Sequence, residues 1–210
     1  MNTLILNSNN LSDLARAAEI LKDGGIIATP TDTIYGIAAD MQNEKAVDKI
    51  YEIKKRPRCK PLVVQISDVV QLESLTPEVN KNAQILINEF WPGPLTLVFR
   101  KSRTVPNYVV SGTPLVGIRL PDSSTVRAII RSLCSQVVVT SANISGKPSL
   151  TTFEEIIDAL YGKIDAIIKG TDNKASNIAS TIVSVAGKIP KLLRCGEIQK
   201  EKIEKYLRIL

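Results

Sequence analysis

The sequence predicts an α/β fold: a single-domain, twisted mixed sheet flanked by helices. Three observations carry that expectation. Short apolar runs alternate along the chain with segments whose apolar residues recur at helical spacing. Two late strand-like runs, 181–185 and 191–194, stand close enough for a hairpin, which makes the sheet mixed. Two strands end in small polar clusters, Thr31-Asp32-Thr33 and Ser141 to Gly146, which suggests one crevice beyond the sheet edge.

Taken in order, residues 11–22 read as an amphipathic helix with Leu11, Leu14, Ala15, Ala18 and Leu21 on one face, closed by Gly24-Gly25. The run 25–28 is a short buried strand that stops at Pro30, followed by a polar loop. The next helix carries Ala46, Val47, Ile50, Tyr51 and Ile53, with Asn43 as its N-cap, and a second strand follows near residue 62. Residues 76–90 read as one helix with Thr76 as N-cap and Pro77 in its first turn. Trp91-Pro92-Gly93-Pro94 ends it, and Trp91 is expected to be a core aromatic at a turn.

Strands are expected at 95–99 and 115–120, joined by a polar loop over 100–114 long enough to be a mobile lid or a binding loop. A helix over 125–134 turns Val126, Ile129, Ile130 and Leu133 inward, and 136–140 is the most strand-like run in the chain. Thr152 and Glu155 form a capping box opening helix 152–161. Strand 165–169, a polar loop over 170–179, the two hairpin strands and a basic helix over 197–209 complete the chain. No linker or repeat interrupts residues 1–210, so one domain is expected.

Composition limits the chemistry. The chain has no histidine, so Ser-His-Asp and Cys-His catalysis and HExxH zinc sites are excluded. Neither a P-loop nor a GxGxxG fingerprint occurs: Gly146-Lys147 is followed by Pro148. Cys59, Cys134 and Cys195 are odd in number and widely spaced, which suggests neither a disulfide framework nor a zinc site. The net charge of +6 favours polyanionic partners such as nucleotides or RNA, yet an aromatic fraction of 4% argues against recognition by base stacking. The absence of a membrane-length apolar run and of a signal-peptide pattern makes a cytoplasmic location the expectation.

Two features leave alternatives open. Lys54, Lys55, Arg56, Arg58 and Lys60 fall within seven residues at a helix end. They are either a solvated basic turn or a cradle for an anion. Arg119 interrupts the apolar strand between Ile118 and Leu120. It either points outward by strand alternation or is buried and needs a partner, because an unpaired buried charge costs several kcal/mol.

Six stretches, read together, bear a resemblance that decides between such alternatives. TPTDTIYG with KKRPRCKPL, then WPGPLTLVF, VGIRLPD, VVTSANISGKPS, STIVSV and LLRCGEI resemble the conserved core of the YrdC/Sua5 family in that family's order. The family comprises threonylcarbamoyl-AMP synthases of tRNA modification, and the chain resembles their short, single-domain form over about residues 10–198.

The resemblance implies a deep, positively charged cavity and conversion of L-threonine, bicarbonate and ATP to threonylcarbamoyl-AMP and pyrophosphate. Mg²⁺ would accompany ATP, with no dedicated protein site evident in the sequence. Lys54 and Arg56 resemble the KxR pair and would be the catalytic residues. Thr33, Gln65, Arg119, Ser141 and Ser180 would bind L-threonine. Arg56, Lys60, Asn143, Thr151 and Arg194 would bind ATP. Gln65 stands where many relatives carry histidine in KPLxxH; an amide can hydrogen-bond but cannot titrate. Contact with tRNA or double-stranded RNA, and delivery of the product to a downstream threonylcarbamoyl-transferase complex, are further implications. The competing reading is an RNA-binding module of the same fold without synthase activity. A related carbamoyl-adenylate domain of hydrogenase maturation belongs to much longer chains with zinc-finger cysteines, which this sequence lacks.

Overall fold

Side-chain alternation along the central strands sorts apolar residues onto two faces, and each face has its own helices. The computed structural model describes residues 2–170 and 176–210. In chain order the elements are β1 (Leu4–Asn7), α1 (Leu11–Lys22), β2 (Ile27–Thr29), β3 (Gly36–Asp40), α2 (Glu44–Ile53), β4 (Val63–Gln65), α3 (Leu72–Leu75), α4 (Lys81–Phe90), β5 (Leu95–Arg100), β6 (Leu115–Arg119), α5 (Ser124–Leu133), β7 (Val137–Ser141), α6 (Phe153–Leu160), β8 (Ala166–Lys169), β9 (Thr181–Ser184), β10 (Lys191–Arg194) and α7 (Lys200–Glu204).

Among the described residues the strands form one twisted sheet in the order β1-β8-β2-β3-β7-β4-β6-β5-β9-β10. The sheet is mixed, as expected. β1, β8 and β2 run parallel, as do β4 with β6 and β5 with β9, while β3, β7 and the β9–β10 hairpin introduce antiparallel pairs.

On one face, Ile27, Ala38, Val137, Val139, Ala166 and Ile168 pack under α1 and α5. On the other, Ala28, Ile37, Ala39, Val138 and Ile167 meet α2, α4 and α6. Helices of ten to twelve residues are marginal alone. The four inward residues of α5, Val126, Ile129, Ile130 and Leu133, are all buried, at roughly 1.5–3 kcal/mol each. That burial holds the helix, and Ser123 caps it by accepting from the Val126 amide. Gly24, at φ +81°, takes the left-handed position that closes α1.

The structure changes several expected elements. β1 and β3 add to the expected elements, and β3 lies within the stretch expected to be a polar loop. Its sequence, Gly-Ile-Ala-Ala-Asp, has low strand propensity. Pairing with β2 on one side and β7 on the other makes it a buried strand nonetheless. A side chain at Gly36 would lie 2.6 Å from Val139, so close packing against β7 excludes a Cβ there. The helix expected over 76–90 begins at Lys81, capped by Asn80; Thr76 instead ends the short helix α3.

The loop over 100–114 is no free lid. Val105, Val109 and Val110 are fully buried, and the Val109 carbonyl accepts from the Leu62 amide. The C-terminal helix covers only Lys200–Glu204. The polar loop expected over 170–179 falls partly on 171–175, outside the described residues. Trp91 is buried, with its indole N–H donating to the Leu95 carbonyl at 2.7 Å, as its core assignment requires. No helix among the described residues is long and apolar enough to cross a membrane.

Candidate active site

Seven strands, β3, β7, β4, β6, β5, β9 and β10, contribute residues to a cleft of about 280 Å³. Register places its parts. Gly36 pairs with Ser141 across β3 and β7, and Gln65 pairs with Arg119 across β4 and β6. Thr31 and Thr33 form one wall from the β2–β3 loop; Ser180 and Arg194 form another from the start of β9 and the end of β10.

Arg119 is buried at 4% exposure, so it does not point outward. Its Nη2 donates to Asp32 Oδ1 at 2.6 Å, its Nη1 to Thr33 Oγ1 at 2.9 Å and its Nε to the Gly93 carbonyl at 3.0 Å. A guanidinium has five N–H donors, so two remain for the cleft.

Arg194 donates through Nε and Nη2 to the Ser180 carbonyl, at 3.0 and 2.6 Å, and through Nη2 to Ser180 Oγ at 3.1 Å. The Ser180 hydroxyl also meets Thr96 Oγ1 at 2.9 Å. Arg56 is half-buried, and the Lys60 and Pro61 carbonyls hold its Nε and Nη2 at 3.1 and 2.9 Å. Burial lowers the pKa of both Arg56 and Arg194; for Arg194 the charges of Arg119 and Arg56 lower it further. Three cations therefore share the cleft closely enough to repel one another. An anion placed among them would relieve that repulsion.

Gln65 reaches the cleft floor at 4% exposure, and its Oε1 is buried without a hydrogen-bond partner. A buried, unpaired amide oxygen costs free energy unless a donor reaches it.

The profile of the Sua5/YciO/YrdC family, described as "Telomere recombination", matches residues 19–196. The chain belongs to the Sua5/YciO/YrdC family. It is 42% identical over 198 residues to the threonylcarbamoyl-AMP synthase of Bacillus subtilis (strain 168), covering 94% of this chain and 57% of that protein. Against the threonylcarbamoyl-AMP synthase of Pyrococcus abyssi it is 39% identical over 191 residues, covering 91% of this chain and 56% of that protein. The crystal structure of P. abyssi Sua5 complexed with L-threonine matches with a TM-score of 0.92 at 35% identity, over 100% of this chain and 63% of that one. This chain thus spans little more than half the length of these two curated relatives.

Of the residues that resemblance to the YrdC/Sua5 family singled out, the cleft brings together Thr33, Arg56, Gln65, Arg119, Ser141, Ser180 and Arg194. Four others do not line it. Lys54, expected to be catalytic with Arg56, is 1% exposed. Its ammonium donates to the carbonyls of Ser141 and of Asn143, the latter at 2.5 Å. The Ser145 amide returns a bond to the Lys54 carbonyl. Lys54 therefore pins the Ser141–Ser145 loop to the end of α2. Burial, then the neighbouring charge of Arg56, pushes its ammonium down to about 8.

Asn143 uses its amide N–H groups on the carbonyls of Ile144 and Lys147, while its Oδ1 is buried and unpaired. Lys60 is exposed and engages Arg56 through its backbone alone. Thr151 lies on a neighbouring hollow beside Tyr35 and Phe153.

The image of five cations forming one cradle also needs correction. Only Arg56 of the five lines the cleft. Arg58 turns away to pair with Asp48 and lies over the Tyr51 ring at 4.8 Å. Sequence reasoning named Asp32 only within the polar cluster Thr31-Asp32-Thr33 and missed it as the partner of Arg119; it also missed Thr96. Each carried a signal: a buried Arg119 demands a carboxylate, and Thr96 is the one hydroxyl in the apolar run Leu95–Phe99.

Proposed function

We propose that this chain makes threonylcarbamoyl-AMP from L-threonine, bicarbonate and ATP, with release of pyrophosphate. One observation carries the reading: Arg56, Arg119 and Arg194 converge on a cleft floored by hydroxyls and an amide, with no carboxylate among its described lining residues. Such a set suits an amino-acid carboxylate and a triphosphate together. Similarity to proteins named threonylcarbamoyl-AMP synthase supports the same reading.

In this reaction the threonine ammonium gives a proton to bicarbonate, which loses water to become CO₂. The amine nitrogen then bonds the CO₂ carbon and releases a second proton to solvent, giving a carbamate. A carbamate oxygen attacks the α-phosphorus in line, and the bond from that phosphorus to pyrophosphate breaks. The step needs positioning and charge neutralisation more than covalent help. Arg119 offers its two remaining donors to the threonine carboxylate. Thr33, Ser141, Ser180 and Gln65 surround the amino acid. Arg56 and Arg194 face the phosphates, with Asn143, Lys60 and Thr151 further along the nucleotide. Lys54 acts through the loop it holds, as a positioning residue for Ser141 and Asn143.

Mg²⁺ enters this reading as the cation that ATP brings. The arginine, hydroxyl and amide groups that line the cleft suit phosphate oxygens, and Mg²⁺ would be held chiefly by those oxygens and water. The product would pass to a downstream threonylcarbamoyl-transferase complex acting on tRNA in the cytoplasm, and the net charge of +6 favours transient contact with RNA.

Pyrophosphate release, followed with ATP plus each substrate in turn, tests the reading. Release should require threonine and bicarbonate together. Release indifferent to either one, or none at all, would overturn the assignment and leave the RNA-binding alternative.

A further inference from the structure

The Arg119–Asp32 pair has an unusual distribution of bonds for a buried ion pair. Both residues are 4% exposed, and one contact of 2.6 Å joins Nη2 to Oδ1. A buried arginine and carboxylate commonly close a two-bond fork. Here the second carboxylate oxygen, Oδ2, is buried without a partner among the described residues. Thr33 and Gly93 take two further guanidinium N–H groups from separate segments. The guanidinium is thereby held on several sides, yet two of its five N–H groups stay uncommitted among the described residues.

Asp32 itself is absent from the residues lining the cleft, whereas Arg119 and Thr33 line it. The carboxylate therefore pairs with the arginine without itself lining the cleft. It supplies the counter-charge that a buried guanidinium needs without covering the surface that meets the ligand. Its loop is anchored independently: the Thr31 hydroxyl bonds the Ile34 carbonyl at 2.7 Å and the Thr33 amide at 3.1 Å. The Asn177 amide also donates to the Thr33 carbonyl at 2.9 Å.

We propose that Asp32 is a positioning residue that aims Arg119 at the carboxylate of the amino-acid substrate. The inference rests on the synthase reading of the cleft. Asp32 fixes the guanidinium plane before substrate arrives, so the amino acid meets a donor pair that needs no reorganisation. Nucleotide contacts lie with Arg56 and Arg194, so Asp32 affects the two substrates unequally.

The test is Asp32→Asn, which keeps the shape and one acceptor oxygen but removes the charge. Calorimetric titration with L-threonine and steady-state pyrophosphate release are the readouts, with a melting curve for each variant. We expect threonine Kd and KM to rise about 10–100-fold, the range for a misplaced contact group, while the KM for ATP stays within about twofold. In an Arg119→Gln background the same substitution should add almost nothing to the threonine defect, because the two residues act as one unit.

Asp32→Glu, which keeps the charge and shifts it by a methylene, decides the question on the same readouts where the asparagine variant does not fold. Equal losses for threonine and ATP, or full additivity with Arg119→Gln, would reduce Asp32 to a fold residue and overturn the inference. Unchanged threonine binding in a folded Asp32 variant would do the same. Failure of the wild-type protein to bind threonine would instead overturn the synthase reading and this inference with it.

Discussion

Between pH 8 and 10.5 the folded protein should gain stability from Lys54, and a Lys54→Met variant should not. The Lys54 ammonium is buried against the Ser141 and Asn143 carbonyls, and burial plus Arg56 lower it from 10.5 to about 8. At 1.36 kcal/mol per pH unit the difference corresponds to at most about 3 kcal/mol. Across that interval the unfolded chain binds the proton and the folded chain has released it, so stability rises with pH. Below pH 8 both states are charged and the cost is constant; above 10.5 both are neutral and the effect is complete.

The neutral amine keeps two N–H groups, one for each carbonyl, so the loop stays pinned. The variant loses those partners, at about 1–3 kcal/mol per orphaned carbonyl, while escaping the charge penalty. Its absolute stability at one pH therefore decides nothing, and the slope does. Burial raises the Tyr35 and Tyr108 phenols, which lowers stability at the most alkaline end in both proteins alike. Urea unfolding at steps from about pH 7 to 10 measures the gap between wild type and variant. The gap should move in favour of wild type by about 2–3 kcal/mol. Parallel curves would show that Lys54 titrates as an ordinary lysine, and the argument from burial would be refuted.

Arg56→Ala should lower the rate of pyrophosphate release about 10²–10³-fold, the usual loss for a transition-state donor, while costing only about 1–2 kcal/mol of stability from its bonds to the Lys60 and Pro61 carbonyls. A wild-type rate would remove Arg56 from the reaction centre. In the same assay threonine should be followed by serine at a loss of roughly 5–10-fold, with valine behind by as much as about 10⁴, because valine leaves the hydroxyls around it unpaired. Equal rates with valine would mean that Thr33, Ser141 and Ser180 do not read the hydroxyl. Thr181→Val should destabilise the protein by about 3 kcal/mol in urea unfolding, since the fully buried Thr181 hydroxyl donates to the Ile198 carbonyl at 2.7 Å and accepts from the Gly196 and Ile198 amides at 3.0 Å. A change under about 0.5 kcal/mol would show that other donors and acceptors replace it.

The sequence by itself determined the elements whose signals are local. α1, α2 and α5 lie where helical spacing placed them and Asn43 caps α2 as expected, because periodicity and capping depend on neighbours three or four residues away. Leu11 and Ala15, expected on the inner face of α1, are exposed instead. The α/β class, the β9–β10 hairpin and the family's motifs were legible for the same reason. Motif order also pointed to seven of the residues that line the cleft.

Tertiary structure alone decided what depends on pairing across the chain. β3 is a strand because β2 and β7 offer it hydrogen bonds on both edges, against its own weak propensity. Lys54 and Arg56 are two residues apart in one cationic run, yet Lys54 meets carbonyls 87 and 89 positions away while Arg56 reaches the cleft. Asp32 became the counter-charge of Arg119 across 87 residues; the apolar run around Arg119 shows that a carboxylate is needed and not which one. Local spacing can state that a charge needs a partner; only the packed chain brings that partner within reach.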